Sequence, residues 1–570
     1  MSEDRPRYSA EKHDVESNPE KGENNLSDHN VVQQEEEIHA SDVPWTFTRV
    51  IAIISLCIVY VGAQAILYMT GGTLTYIGRS IHSDFANWLL TANTLAVTAI
   101  VPFVGYITDL LGRRYIACAG SVFLIIASIV QATSTSLGSS VVAQAIGGMG
   151  AGICELTALA GVAEITPVRW RGVSLAVVTF SILPFIPYIL YIGELVAHST
   201  WRWALGIAAI WNGVGTIGIF LAYHPPPRHN VDGLTRSEIF KRIDYGGAFL
   251  SIAGVTLFLT GLQYGGYQVP WVSATALVPL ILGAILIVAF VIYEITVPKY
   301  PMVPSEIFKG QRVVAIAYIV VFLAGMEFYS VLGFFPLMLT SLWPASPELT
   351  GARGVGYPLA ILVGACVVSA ALSYSRGHVR ALFVVSAALM TAFAGALASS
   401  TPFNPTRSTV FATLASLGIG GVIVPALTVA LYACPDAYIG TTAALSLAVR
   451  FLGGSVGTTI YYNIFNTNFK TKFPEYVGTA AVQAGLPAAD VPAFAQALAS
   501  DSTGAAALKV PGVNLQILQA GGLAAQWALN DSLKGVWYAS VAVGGLCVIA
   551  AAFLPNIRKY MSDRVAVDLH

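Results

Sequence analysis

Four ionisable residues interrupt long apolar stretches of this 570-residue chain: Glu155, Glu194, Glu327 and Arg450. A charged side chain is expensive in hydrocarbon, so an ionisable residue at that depth indicates a functional site. A buried carboxylate can bind a proton on one side of a membrane and release it on the other. The sequence therefore predicts that Glu155, Glu194 and Glu327 are candidate proton-coupling groups.

Each of these residues also has an alternative role. Glu155 could make a structural hydrogen bond between two helices. Glu194 lies near the end of its apolar stretch, where its side chain could simply reach the membrane surface. Arg450 could act as a counter-ion or as a bridge between two parts of the molecule, and the sequence does not choose between these roles.

The spacing of Gln144 and Glu155 predicts a shared helix face. Eleven residues return to the same face of an α-helix about 16 Å further along its axis, so if Gln144 lines a cavity, Glu155 does too. Aromatic side chains such as Tyr188 and Phe334 could form an apolar cavity wall, although packing or a belt at the membrane surface is their commoner role. We predict Gln144, Arg450, Tyr188 and Phe334 as cavity residues.

The composition of the chain indicates a membrane protein. Only 11% of the chain is charged, 55% is hydrophobic, and the mean hydropathy is +0.68. A soluble domain has about a quarter of its residues charged, so most of this surface must face lipid. The composition excludes a soluble enzyme and gives no reason to expect a nucleic-acid partner. The six cysteines show no metal-binding or disulfide spacing, and we expect no metal and no cofactor.

Fourteen apolar stretches of about 20 residues predict an all-α protein with fourteen membrane spans. They run roughly over 46–70, 86–108, 115–134, 140–163, 173–197, 201–223, 245–264, 273–297, 312–340, 355–374, 380–399, 407–433, 440–466 and 533–554. With both termini inside, the inner loops and the carboxyl-terminal tail together hold sixteen Lys and Arg residues, and the outer segments hold eight. This asymmetry predicts cytoplasmic termini.

A short motif joins the second and third stretches. The chain reads Gly105-Tyr106-Ile107-Thr108-Asp109-Leu110-Leu111-Gly112-Arg113-Arg114. A positive anchor at the membrane surface would explain the two arginines but not Gly105, Asp109 and Gly112. The pattern closely resembles the loop-2–3 signature of the major facilitator superfamily. That resemblance implies a motif that takes part in the conformational change, made of Gly105, Asp109, Gly112, Arg113 and Arg114.

Further segments resemble one branch of that superfamily. Ile243-Asp244-Tyr245-Gly246-Gly247 and Pro301-Met302-Val303-Pro304 resemble the region of the two extra central spans in fourteen-span drug:proton antiporters. Ala163-Glu164-Ile165-Thr166-Pro167-Val168-Arg169-Trp170-Arg171-Gly172 looks most like the fungal trichothecene efflux pump-like family. The resemblance implies two six-helix halves, two linking helices, and no enzyme activity.

The resemblance also implies a function. The expected protein is a monomeric, multi-pass transporter of the plasma membrane, with a vacuolar or vesicle membrane as the alternative. It would export a bulky apolar small molecule, such as a toxin, drug or secondary metabolite, in exchange for protons. No ATP-binding motif occurs in the sequence, so an ion gradient would supply the energy. The alternative function is proton-coupled import of ferric siderophores.

Two departures from the family pattern carry predictions. Gln144 stands where exporters usually have an Arg, so we expect Glu155 to have no cation nearby and to be the principal proton carrier. Leu183-Pro184 and Pro187 replace the usual Gly-Pro hinge of the fifth span and predict a helix kink.

The predicted domain organisation follows the spans. It consists of an acidic cytoplasmic tail (1–44), a first half (45–223), a linker with two helices (224–300), a second half (301–555) and a cytoplasmic tail (556–570). We expect short amphipathic helices on the outer face in segment 466–532. The glycosylation sequon at Asn530 abuts the last span and is not expected to be used.

Overall fold

The computed structural model describes residues 46–81, 88–225, 236–266, 268–308, 312–375, 378–500, 505–563 and 565–566. The predicted acidic tail, 1–44, lies outside the described residues. All conclusions below apply to the described ranges.

Helices account for most of the described chain. They are α1 (Phe47–Ser80), α2 (Trp88–Leu111), α3 (Arg114–Thr133), α4 (Leu137–Ile165), α5 (Arg171–Phe180), α6 (Tyr188–His198), α7 (Arg202–Ala222), α8 (Arg236–Arg242), α9 (Tyr245–Tyr264), α10 (Ala274–Thr296), α11 (Arg312–Ser341), α12 (Pro347–Tyr374), α13 (Val379–Ala396), α14 (Pro405–Ala433), α15 (Ile439–Gln483), α16 (Val491–Ser500) and α17 (Leu515–Ala552). Fourteen helical segments in these ranges are long and apolar enough to cross a membrane, with α5 and α6 forming one of them. The predicted fourteen-span, all-α fold is confirmed.

Two helical bundles form the body of the protein. The first contains α1 to α7 and the second contains α11 to α15 and α17. They meet along two seams, one between α2 and α15 and the other between α5 and α12. Small residues allow the closest approaches, because a side chain at Gly105 would lie 2.3 Å from Ala444 Cβ and one at Gly172 would lie 2.2 Å from the Ser369 carbonyl oxygen.

The two linking helices, α9 and α10, pack on each other, and α9 contacts both α2 and α15 along their seam. At one end, Tyr106 Oη of α2 donates to the Arg242 carbonyl at 2.6 Å. At the other end, Asn463 Nδ2 of α15 donates to the Gly265 carbonyl at 3.3 Å. Helix α10 exposes a long apolar face that suits contact with lipid.

The fifth span is broken, as its prolines predict. Helix α5 ends at Phe180, a single 3-10 turn covers Leu183–Phe185, and α6 starts at Tyr188. Pro184 and Pro187 lack the backbone N–H that a continuous helix needs. The break places the Phe185 ring 4.9 Å from that of Trp211, inside the first half.

The segment between the last two spans differs from the prediction. Short helices lying on the membrane surface were expected throughout 466–532, but α15 continues to Gln483 and α17 already starts at Leu515. The apolar faces of these extensions bury one another instead of lying against lipid, with α16 packed between them. The resulting small core contains Val477, Ala481, Leu486, Phe494, Ala507 and Ile517. We call residues 467–530 the cap, and Asn530 of the sequon is buried at its base.

Candidate functional site

Asp109 joins the two halves at the end of the molecule opposite the cap, here called the Asp109 end. One carboxylate oxygen accepts from Gly440 N at 3.0 Å, and the other accepts from Thr441 N at 2.6 Å and Thr441 Oγ1 at 2.8 Å. A residue of α2 therefore caps the amino terminus of α15, where free N–H groups and the helix dipole favour a negative charge.

The other residues of the predicted motif have separate roles. Arg113 is buried and pairs with Asp109 at 3.3 Å and with Glu164 of α4 at 2.7 Å. Burial lowers the pKa of the Arg113 guanidinium, and the charge of Asp109 partly offsets that effect. Gly112 turns the chain with a φ of 86°. Arg114 instead donates to the Phe220 carbonyl of α7 at 2.6 Å and has no contact with the second half among the described interactions.

Arg171 makes a second connection at the Asp109 end. It donates to the Ala163 carbonyl of its own half at 2.9 Å and to the Leu431 carbonyl of α14 at 2.6 Å, and it pairs with Asp436 at 3.2 Å. Beyond α17, the chain adds a third contact, because Arg169 N donates to the Ser562 carbonyl at 2.9 Å. The two halves are thus held together at this end.

Glu164 and Arg171 belong to the segment that resembles the family, but no role was predicted for either residue. Their charge next to a predicted inner loop was the available signal. Their partners come from other spans, so the sequence alone did not indicate which contacts they make.

An ion pair joins the halves inside the spans α4 and α15. Arg450 Nη2 of α15 lies 2.8 Å from Glu155 Oε1 of α4, and both side chains are largely buried. Each residue is ten or eleven positions from the Asp109 end of its helix, about 15 Å along the axis. The expectation that Glu155 has no cation nearby is therefore wrong. Its partner belongs to the other half, 295 positions along the chain, and helix periodicity on α4 could not reveal it.

Tyrosines surround this pair. Tyr60 and Tyr68 of α1 and Tyr329 of α11 all lie within electrostatic range of Glu155 and Arg450. The Tyr68 ring stacks on that of Tyr188 of α6, with 5.3 Å between centroids. The structure therefore brings together Glu155, Arg450 and, through Tyr68, Tyr188. None of Tyr60, Tyr68 and Tyr329 was predicted as a cavity residue, because tyrosines are common in apolar stretches and their presence alone does not indicate a site.

Two predicted cavity residues lie elsewhere. Gln144 is buried inside the first half, where its Nε2 donates to Thr70 Oγ1 at 2.8 Å and its Oε1 accepts from Asn93 Nδ2 at 3.3 Å. Phe334 is buried inside the second half, 4.9 Å from the ring of Tyr462. Neither side chain has a described contact with Glu155 or Arg450, so the helix face shared by Gln144 and Glu155 does not give them shared partners.

The other two candidate carboxyl groups have opposite environments. Glu327 is fully buried in the second half, and its Oε2 accepts from Ser540 Oγ at 2.5 Å. The Glu194 side chain is 74% exposed and lies 3.4 Å from His198 one turn later. Glu194 lies near the end of α6 and points away from the packed interior. Its carboxyl group is therefore not buried by the protein, as the prediction of a proton-coupling role required.

This fold and site define a membrane transporter of the major facilitator class, with two helical halves joined by a buried ion pair and held together at one end. Solved structures show the same fold. The human organic anion transporter MFSD10 (TETRAN) is 14% identical with a TM-score of 0.50, and the match covers 88% of this chain and all of that one. The proton:xylose symporter XylE is 14% identical with a TM-score of 0.53, and the match covers 88% of this chain and 96% of that one.

The chain belongs to the fungal trichothecene efflux pump (TRI12) family, whose model matches residues 11–570. The MFS-type transporter prx5 of Penicillium rubens is 28% identical over 80% of this chain and 84% of its own length. The trichothecene efflux pump TRI12 of Fusarium sporotrichioides is 23% identical over 87% of this chain and 83% of its own length. The MFS-type efflux transporter pyiT of Pyricularia grisea is 30% identical over 70% of this chain and 66% of its own length.

Proposed function

We propose that this protein exports a bulky, largely apolar organic compound in exchange for protons. It acts as a monomer in the plasma membrane, with both termini in the cytoplasm. The observation that carries the proposal is the Glu155–Arg450 ion pair, which joins the two halves inside the membrane among aromatic side chains. A transporter needs an interaction at this depth that can break and reform between its two states.

The mechanism follows from the contacts on either side of that pair. In this state the Asp109 end is held by Asp109, Arg113 and Arg171, so the transport path from that end is closed. Opening it requires the amino terminus of α15 to lose its hydrogen bonds to Asp109 of α2. Separating the Glu155–Arg450 pair costs free energy, because each charge is then left without a partner in a low-dielectric interior. A bound substrate that offers polar groups to Arg450 lowers that cost, which links binding to the change of state.

The direction of transport is inferred from relatives, several of which are named efflux pumps. The surroundings of the ion pair support an apolar cargo. Aromatic rings of Tyr68 and Tyr188 offer large flat surfaces, and their hydroxyl groups offer a few hydrogen bonds. The membrane carboxyl groups Glu155 and Glu327 are the candidates for carrying the coupled proton.

Deletion and complementation of the gene in its native host test this proposal. The deletion strain should become more sensitive to some members of a panel of toxic secondary metabolites, and wild-type protein should restore growth. Asp109→Asn protein present at equal membrane levels should not restore it. Equal sensitivity of deleted and parental strains across the panel contradicts export. The same strains, grown under iron limitation with a labelled ferric siderophore, test the import alternative, which predicts reduced iron accumulation in the deletion strain.

A further inference from the structure

A carboxyl group without a neighbouring cation lies inside the second half. Glu327 is near the middle of α11 and is fully buried, and within the described residues its Oε1 makes no hydrogen bond to a side chain. Within the described residues its interactions are with Ser540 and the backbone of Gly544, and none is with a basic side chain. A carboxylate in this setting loses its hydration and gains no compensating charge, so the neutral acid is the favoured form.

Three helices build the surroundings of Glu327. Ser540 of α17 donates to Oε2, and Tyr461 of α15 is fully buried within electrostatic range of the carboxyl group. The Tyr461 hydroxyl group interacts with that of Ser540, which links it to the Glu327 carboxyl group. Cys547 of α17 is the other titratable group within electrostatic range. Ser330 donates to the Glu327 backbone carbonyl at 2.8 Å, and its Oγ also lies 3.3 Å from Ser540 Oγ.

We propose that Glu327, Ser540 and Tyr461 form the proton-binding site of this transporter, inside the second half and apart from the Glu155–Arg450 pair. This inference rests on the proposed proton coupling and names its site. The Glu327 carboxylate takes one proton on Oε1 to become the neutral acid, and it returns to the carboxylate when that proton leaves. Ser540 is a positioning residue that orients Oε2, and Tyr461 is a positioning residue that acts through Ser540.

Glu155 is less suited to this role. Arg450 lies 2.8 Å away and stabilises the carboxylate form, so a proton would have to displace a buried guanidinium that then has no partner. Glu327 has no such competitor. A proton carrier of the predicted kind is a buried carboxyl group with no cation beside it. Within the described residues, Glu327 meets this condition and Glu155 does not.

A tight helix contact connects the two sites. A side chain at Gly325, two residues before Glu327, would lie 2.3 Å from the backbone oxygen of Arg450. One at Gly457 of α15 would lie 2.8 Å from Met326 Cα. Because backbones touch here with no flexible side chain between them, a shift of α11 also moves Arg450. Gain or loss of the Glu327 proton can therefore bias the ion pair that joins the halves.

Infrared difference spectroscopy on purified, full-length protein tests proton binding without any transport assay. Wild-type protein should show the carbonyl band of a buried, protonated carboxyl group. Glu327→Gln should lose this band, while Glu155→Gln and Glu194→Gln should keep it. Ser540→Ala should shift the band, because the hydrogen bond to Oε2 is lost. Ser532→Ala on the same helix, whose hydroxyl group donates to the Ala528 carbonyl, is the matched control and should leave the band unchanged. A wild-type protein without the band, or Glu327→Gln protein that retains it, overturns the proposal.

Transport in inside-out vesicles then tests coupling. With a compound identified by the growth screen, Glu327→Gln should reduce gradient-driven uptake at least tenfold and keep exchange without a gradient within about twofold, because fixed neutrality removes only the proton step. Tyr461→Phe should shift the pH dependence of uptake, whereas Ser532→Ala should not. Full uphill transport by Glu327→Gln contradicts the inference. If wild-type uptake needs no proton gradient, the proposed function fails, and the infrared result still decides whether Glu327 holds a proton.

Discussion

At the residue scale, Asp109 accepts three hydrogen bonds across the two halves at the Asp109 end. Asp109→Asn keeps the size of the side chain but replaces one accepting oxygen with an NH2 group that faces a backbone N–H. Hydrogen bonds to a charged group contribute roughly 1.5–3 kcal/mol each, so we expect the closed end to open more readily and transport to fall at least tenfold. Initial transport rates at matched membrane levels measure this effect. Arg114→Gln is the control, because Arg114 contacts α7 and not α15.

A second prediction at this scale concerns the ion pair. Glu155→Gln or Arg450→Gln alone leaves one buried charge without its partner, and removing one partner of a buried pair costs about 3–5 kcal/mol. The double substitution removes both charges and should be clearly more stable than the sum of the two losses. Thermal unfolding of the purified variants measures the coupling. Strictly additive losses would show that the two side chains do not interact.

At the element scale, the contact between α11 and α15 transmits motion between the two sites. Gly325→Ala places a methyl group 2.3 Å from the backbone oxygen of Arg450, and neither backbone can yield without moving a helix. We expect lower thermal stability and reduced transport. Gly333→Ala on the same helix is the matched control, because no atom lies within 4 Å of the added group. Equal behaviour of the two variants would contradict a tight α11–α15 contact.

At the scale of the whole molecule, the topology is directly testable. The loop charges predict that both termini lie in the cytoplasm, so the cap, which includes Ala488, should face the exterior. A tag inserted beside Ala488 should be labelled on intact cells, and a tag at either terminus only after permeabilisation. Labelling of a terminal tag on intact cells would reverse the orientation and with it the direction assigned to transport.

The fold of the whole molecule was predictable from the sequence only in part. The fourteen spans and the break at Pro184 were predictable, because hydropathy and proline chemistry are local. The Asp109 motif was predictable through resemblance. The Glu155–Arg450 pair was not, since it depends on how two distant helices meet. The cap was misjudged, because amphipathic patterning does not tell whether an apolar face meets lipid or another helix.

The most direct test of proton-coupled export is proton movement driven by substrate. Inside-out vesicles with an acidic lumen, loaded with a pH-sensitive dye, are mixed with an exported compound from the growth screen. We predict that the compound makes the lumen less acidic with wild-type protein and does not do so with Asp109→Asn or Glu327→Gln protein. Uptake of the compound at the same rate with and without the gradient, and with no change in lumenal pH, would contradict the account.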